Sequence, residues 1–241
     1  MNGGTNGLTT VQRVSLAVEV ETARQFLVHG VVLLRGRPSL DQTLDVLLLV
    51  WHMGTERLLK VLYGLTELEQ GQPWPDMQRV ISHRVVKADK LVRDHLHGWA
   101  TANPGNNYPN GLIAKVDADP ILPALLAALD DYGSGGRFFW LDQLGQSPQQ
   151  RDRPDAVWDQ ALTAARDSDP AVTSRFWDNV HDHPEMDHVR ELHDLVSRSM
   201  VRWWSMLART GQWGAFGELG KQLAAAYVPT MATPCVELID S

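Results

Sequence analysis

Apolar residues recur at three- and four-residue spacing through segments of roughly 15 to 30 residues, and no sustained alternating stretch bounded by hairpin turns interrupts them. That periodicity belongs to amphipathic helices and excludes a sheet-based core. The expected fold class is all-α, a helical bundle of long antiparallel helices. A chain of 241 residues buries enough surface to fold without staples, either as one large domain or as two helical halves.

Proline and glycine punctuate the pattern. A first helix is expected from Thr9 or Thr10 to about Arg35, with Val14, Ala17, Val18, Phe26, Val28 and Val32 apolar, ending at Gly36 and Pro38. A second should run from Ser39 or Asp41 to Glu69. Its centre, Val46 to Met53, is apolar nearly all round, as in a helix surrounded by others. Pro75-Asp76 should open a third helix that continues to about Trp99. Asn103 to Gly111 is nearly all turn formers and reads as a long surface loop or a boundary between halves. Further helices are expected near Pro120 to Asp131, Pro154 to Asp167, Pro170 to Asp182, Pro184 to Arg209 and Ala215 to Tyr227. The organisation is then an N-terminal three-helix half over 1–102, the loop 103–111, a C-terminal helical half over 112–228 and an extended tail over 229–241.

Charge and cysteine content narrow the function classes. A net charge of −7 argues against a broad basic face for non-specific nucleic-acid binding, though not against a small basic cleft. The single Cys235 allows no internal disulfide and no multi-thiolate metal site, which fits a reducing compartment. No apolar run approaches the roughly 20 residues that span a bilayer, and the first residues lack a signal-peptide pattern, so a cytoplasmic protein without membrane insertion is expected. Nine tryptophans are explained by helix packing before any aromatic cage.

Several side chains are placed to carry chemistry. His52 and Glu56 lie at i, i+4 on the most apolar helix and so share a face. An ionisable pair there needs partners, either an arginine such as Arg57 or one from another helix, or else it lines a pocket. His83, Lys87 and Lys90 form a basic stripe on the third helix, fit to receive phosphate or to pair with acids such as Glu67 and Glu69. His181, His183, His188 and His193 fall in one acidic region, where Glu185 and Asp187 are accounted for as acids at a helix N-terminus. Glu185 and His188 make an E-x-x-H pair, the unit that di-iron carboxylate bundles use twice, and no second copy occurs. Gly133 to Gly136 lacks the lysine and the strand-to-helix setting of a phosphate loop and reads as a helix C-cap, followed by Arg137 beside Phe138, Phe139 and Trp140. There is no G-x-S-x-G elbow for a serine nucleophile.

The run Met53-Gly54-Thr55-Glu56-Arg57-Leu58-Leu59-Lys60, then a loop, then Ser82-His83-Arg84-Val85-Val86-Lys87, resembles the paired helical motifs of HEPN-like families. The segment Arg137 to Asp142 is similar to an aromatic R-Y-x-x-L-D segment of the same relatives, and the likeness covers residues 40–145. It implies a helical bundle, often a homodimer, that binds RNA or a nucleotide, and in many members a metal-independent ribonuclease of toxin–antitoxin or antiviral systems with an arginine and a histidine in an R-x4-6-H motif. Histidine would transfer the proton and arginine would neutralise the phosphate. Arg24 to His29 and Arg175 to His181 match that spacing, and Arg175 with His181, beside Trp177 and ahead of a proline break, is the preferred catalytic pair. His52, Glu56, His83, Lys87 and Arg137 are the expected ligand-binding residues. This leading expectation requires no metal and no other cofactor, and allows a protein partner or antitoxin. Two alternatives remain open: a non-catalytic interaction protein that uses Trp203, Trp204 and Trp213 at an interface, and a helical-bundle metalloenzyme that uses His52, Glu56, Glu185 and His188.

Overall fold

The computed structural model describes residues 8–36, 40, 42–148, 150–182 and 187–229, and among them eleven α-helices and one 3-10 turn but no strand. The fold class is all-α, and no helix among the described residues is long and apolar enough to cross a membrane. The first two helices, α1 (Thr10–Gly36) and α2 (Leu44–Glu69), make the most extensive helix pair. Each is about 40 Å long, more than their short connection can span, so they run antiparallel. α1 buries one stripe, Leu16, Val20, Ala23, Leu27, Val31 and Leu34. At Gly30 the helices nearly touch: an added Cβ would meet the Trp51 indole at 2.1 Å, and Trp51 Nε1 donates to the Leu27 carbonyl at 3.2 Å.

α2 is the centre of the molecule. α1, α4 (Val85–Ala102), α6 (Leu122–Gly133) and α11 (Gly217–Tyr227) all pack on it, which is why its apolar residues lie all round. The expected single helix from Pro75 to Trp99 is broken. A short α3 (Met77–Val80), capped by Asp76 accepting from the Gln78 and Arg79 backbone N–H groups, ends in a turn where Ser82 adopts φ +56°. Burial of Ile81 is the physical reason for the break: it turns into the core at 1 % exposure, and the next residues swing His83 towards α2 before α4 begins. Asp130 of α6 fixes that start, accepting from Val86 N–H at 3.0 Å and from Arg84 Nε at 2.9 Å.

The turn formers at 103–111 occupy less loop than their composition suggests. Asn103 to Asn106 connect α4 to α5 (Asn107–Asp117), and Pro109 sits in the first turn of α5, where its missing N–H costs nothing. Asn103 and Asn110 tie the connection together, through Asn103 Nδ2 to the Trp99 carbonyl and Asn110 Nδ2 to the Asn103 carbonyl. Beyond it follow α6, the 3-10 turn Gly136–Phe138, α7 (Phe139–Asp142), α8 (Pro154–Asp167), α9 (Pro170–Asp182), α10 (Asp187–Gln212) and α11. α1 packs on α10 and α11 while α4 packs on α6, so helices from both sides of the connection share one hydrophobic core. Trp203 and Trp204 are wholly buried in it, with Trp203 Nε1 donating to Asp89 at 2.7 Å. They therefore cannot form the interface considered for them, whereas Trp213 is half-exposed. Pro184 and nearly all of the expected tail, Cys235 included, lie outside the described residues.

Candidate functional site

Three of the anticipated ligand-binding residues converge. His52 and Glu56, one turn apart on α2, are both buried, and the turn before α4 delivers His83, whose side chain is 43 % exposed. One donor atom from each of the three lies within 4.8 Å of the others. His52 Nε2 stands 2.9 Å from Glu56 Oε2. His83 Nδ1 stands 3.1 Å from Oε1 and 3.4 Å from Oε2 of the same carboxylate.

The surroundings hold each group in place. His52 Nδ1 is 3.0 Å from the carbonyl of Leu129 on α6. A carbonyl can only accept, so Nδ1 carries a proton and Nε2 is the ring nitrogen that faces the carboxylate. Nε2 is buried without an aligned hydrogen bond despite its closeness to Glu56. Gly133 makes room for the ring: an added Cβ there would fall 1.9 Å from His52 Cε1 and 2.4 Å from either ring nitrogen. Lys60, a further turn along α2, donates to Glu56 Oε1 at 2.5 Å. Burial pushes the Glu56 carboxyl upward, but its contacts with His52 and the Lys60 ammonium outweigh that and hold it at about 2. Glu56 is therefore a carboxylate at any physiological pH.

The partner anticipated for Glu56 is different. Arg57 turns to Glu19 on α1 instead, because residues adjacent in a helix project about 100° apart whereas i+4 returns to the same face. Nor does the basic stripe pair with Glu67 and Glu69. Lys87 Nζ donates to the Val80 carbonyl, freed by the break before α4, and Lys90 pairs with Asp94 one turn on at 2.6 Å. Arg137 stands over the Phe138 ring, 4.9 Å from its centroid.

The second anticipated site is only partly described. Arg175 is half-exposed and grips Glu191 of α10 with Nη2 at 2.6 Å and Nε at 3.2 Å, and that carboxylate raises its proton affinity further. His181 lies on α9 but its side chain is outside the described residues, as are the side chain of His188 and all of Glu185. The alternative motif is engaged locally, Arg24 with Glu21 at 2.6 Å and His29 Nδ1 with the Gln25 carbonyl at 2.7 Å. Lys60 continues the i, i+4 series of His52 and Glu56 and was readable from spacing; the contributions of Leu129, Asp130 and Gly133 arrive through tertiary packing and had no local signal.

Two cavities border these groups. One of about 360 Å³ is lined mainly by apolar side chains, among them Leu16, Val61, Trp74 and Met77, with Lys60, Arg57 and Glu19 as its charged members. The other, about 430 Å³, lies between α9 and α10 and is lined by Arg175, Arg190 and Arg198 together with Glu191 and Asp194. No family model, curated protein or solved structure matches this chain.

Proposed function

We propose that this is a helical-bundle metalloprotein that binds one first-row divalent ion, zinc by the character of its donors, through His52, Glu56 and His83, and uses the ion's open side for metal-assisted hydrolysis. One observation carries the proposal. The Leu129 carbonyl accepts from His52 Nδ1, so Nε2 is the ring nitrogen turned to a carboxylate oxygen at 2.9 Å in a buried site. Nε2 has no aligned hydrogen bond there, and a third ligand atom, His83 Nδ1, faces the same carboxylate, so one cation among the three would satisfy them together.

The spacing suits a metal. Ligands about 2.1 Å from an ion are separated by about 3.0 Å in octahedral and about 3.4 Å in tetrahedral geometry. Glu56 Oε2 stands 2.9 Å and 3.4 Å from the two histidine nitrogens, while Oε1 remains available to Lys60. Two imidazoles and one carboxylate match the catalytic pattern of three protein ligands and an open position, and a carbonyl-bound histidine is the usual outer support. The buried His52 and Glu56 would cover the inner side of the ion and leave the side beside half-exposed His83 for water, whose acidity the ion raises. This departs from the expectation of a cofactor-free protein.

Protein purified without an affinity tag and stripped with a chelator should take up one equivalent of zinc or cobalt. Binding should be lost in His52→Ala and Glu56→Ala and weakened in His83→Ala. Absence of stoichiometric uptake by wild-type protein refutes the proposal.

A second reading, a HEPN-like protein that binds or cleaves RNA or a nucleotide, draws on the arginine cleft. Arg198 Nε is buried there without a hydrogen-bond partner, beside Arg175 and Arg190, an arrangement suited to phosphate. RNA cleavage that is unchanged in both Arg175→Ala and His181→Ala rules out that pair.

A further inference from the structure

The apolar cavity beside Lys60 is walled by side chains from α1, α2 and the segment that follows α2. α1 supplies Ser15 and Leu16, the segment before it Leu8, α2 supplies Val61, and Trp74 and Met77 complete the lining. Trp74 is held in position by close approach to α2, since an added Cβ at Gly64 would sit 2.4 Å from its ring. A volume of about 360 Å³ lies within the roughly 300–1,000 Å³ range of sites that enclose small ligands. Lys60 belongs to both places: it lines the cavity and donates to Glu56.

Charge decides what kind of ligand fits. A bound dication, the Lys60 ammonium and the single Glu56 carboxylate leave two positive charges uncompensated beside buried groups, because both histidines ligate as neutral imidazoles. On the cavity wall Arg57 is engaged by Glu19, and Lys60 would share the Glu56 carboxylate with the ion. An anionic head group would relieve that imbalance, and an apolar body would replace water on the Leu16, Val61, Trp74 and Met77 surfaces.

We propose that this cavity receives the hydrocarbon part of a small aliphatic carboxylic acid, with its carboxylate directed to Lys60 and the open side of the metal centre. Only the contact of the head group with the ion rests on the metal reading; its contact with Lys60 and the seat of the hydrocarbon do not. The ligand is then either the acid product of hydrolysis or, as its ester or amide, the substrate.

Titration calorimetry with octanoate and with 1-octanol, on metal-free and zinc-loaded protein, tests this. Octanoate should bind zinc-loaded protein roughly tenfold or more tightly than 1-octanol does, the contrast expected of a charge-assisted contact. Ser15 is exposed at the rim, so Ser15→Trp fills the cavity without altering the core, and it should weaken both ligands about tenfold while zinc stoichiometry stays at one. Met77→Trp, from the opposite wall, should do the same and guards against a folding defect in the first variant. Failure of both ligands to bind either form overturns the cavity proposal whether or not zinc binds. Equal affinity for octanoate and 1-octanol overturns the acid assignment. Octanoate binding that is selective over octanol and sensitive to Ser15→Trp in a protein that takes up no zinc supports the cavity with Lys60 as its anchor, and sinks the metal reading alone.

Discussion

Gly133→Ala is the most discriminating single change, because it adds one methyl group at the point where α6 presses on His52. The new Cβ would lie 1.9 Å from Cε1 and 2.4 Å from Nδ1 and Nε2, so the ring cannot remain where it is. His52 is 1 % exposed and has no outward route; either it rotates and gives up the 3.0 Å contact with the Leu129 carbonyl, or α6 shifts away from α2. Overpacking of a dense core costs about 1–3 kcal/mol, and a lost hydrogen bond about 1 kcal/mol more. The helix-forming advantage of alanine over glycine returns up to about 1 kcal/mol. The net destabilisation is about 1–3 kcal/mol, or a fall of several degrees in Tm at this chain length. If His52 ligates a metal as proposed, loss of its outer contact also weakens metal affinity by about 10–100-fold. Gly98→Ala is the control, a helical glycine where an added Cβ meets nothing within 4 Å; it should stabilise slightly and leave zinc binding unchanged. Thermal unfolding and zinc titration of the two variants read both effects. A Gly133→Ala protein with wild-type Tm and wild-type zinc affinity refutes the assignment of Gly133 as the space that His52 needs.

Two further outcomes follow from the same contacts. Glu56 is held near 2 against an ordinary 4.5; its folded form is the more acidic, so in metal-free protein its contribution is complete above about pH 4.5 and disappears as pH falls towards 2. Urea titrations between those values should show a steeper loss of stability for wild type than for Glu56→Gln, and identical pH slopes would contradict the proposed ionic contacts. Asp130→Ala removes the acceptor at the start of α4 and should cost about 1–2 kcal/mol, a cap-sized loss, since the paired Arg84 is 60 % exposed and adds little. Because that start also positions His83, zinc affinity should fall with it, and urea unfolding indistinguishable from wild type would dismiss Asp130 as the cap.

The all-α class was legible in the chain because helical periodicity is a local property, repeated over Val46 to Met53 and through α8, whose ends at Pro154 and Asp167 coincide with the expected ones. The i, i+4 relation of His52 and Glu56 was legible for the same reason. The split of the third helix was not: residues 75–99 carry a continuous apolar rhythm, and the break at Ser82 exists because Ile81 finds a place in the core and Asp130, far along the chain, caps the next start. Asparagine-rich composition overstated the loop at 103–111, since Pro109 is as acceptable in a first helical turn as in a coil. The site itself depended on tertiary packing. Periodicity put two of its residues on one helix face, but only the packing of α2, α4 and α6 supplied His83, the Leu129 carbonyl and the space at Gly133, because contacts between residues distant in sequence have no period to read.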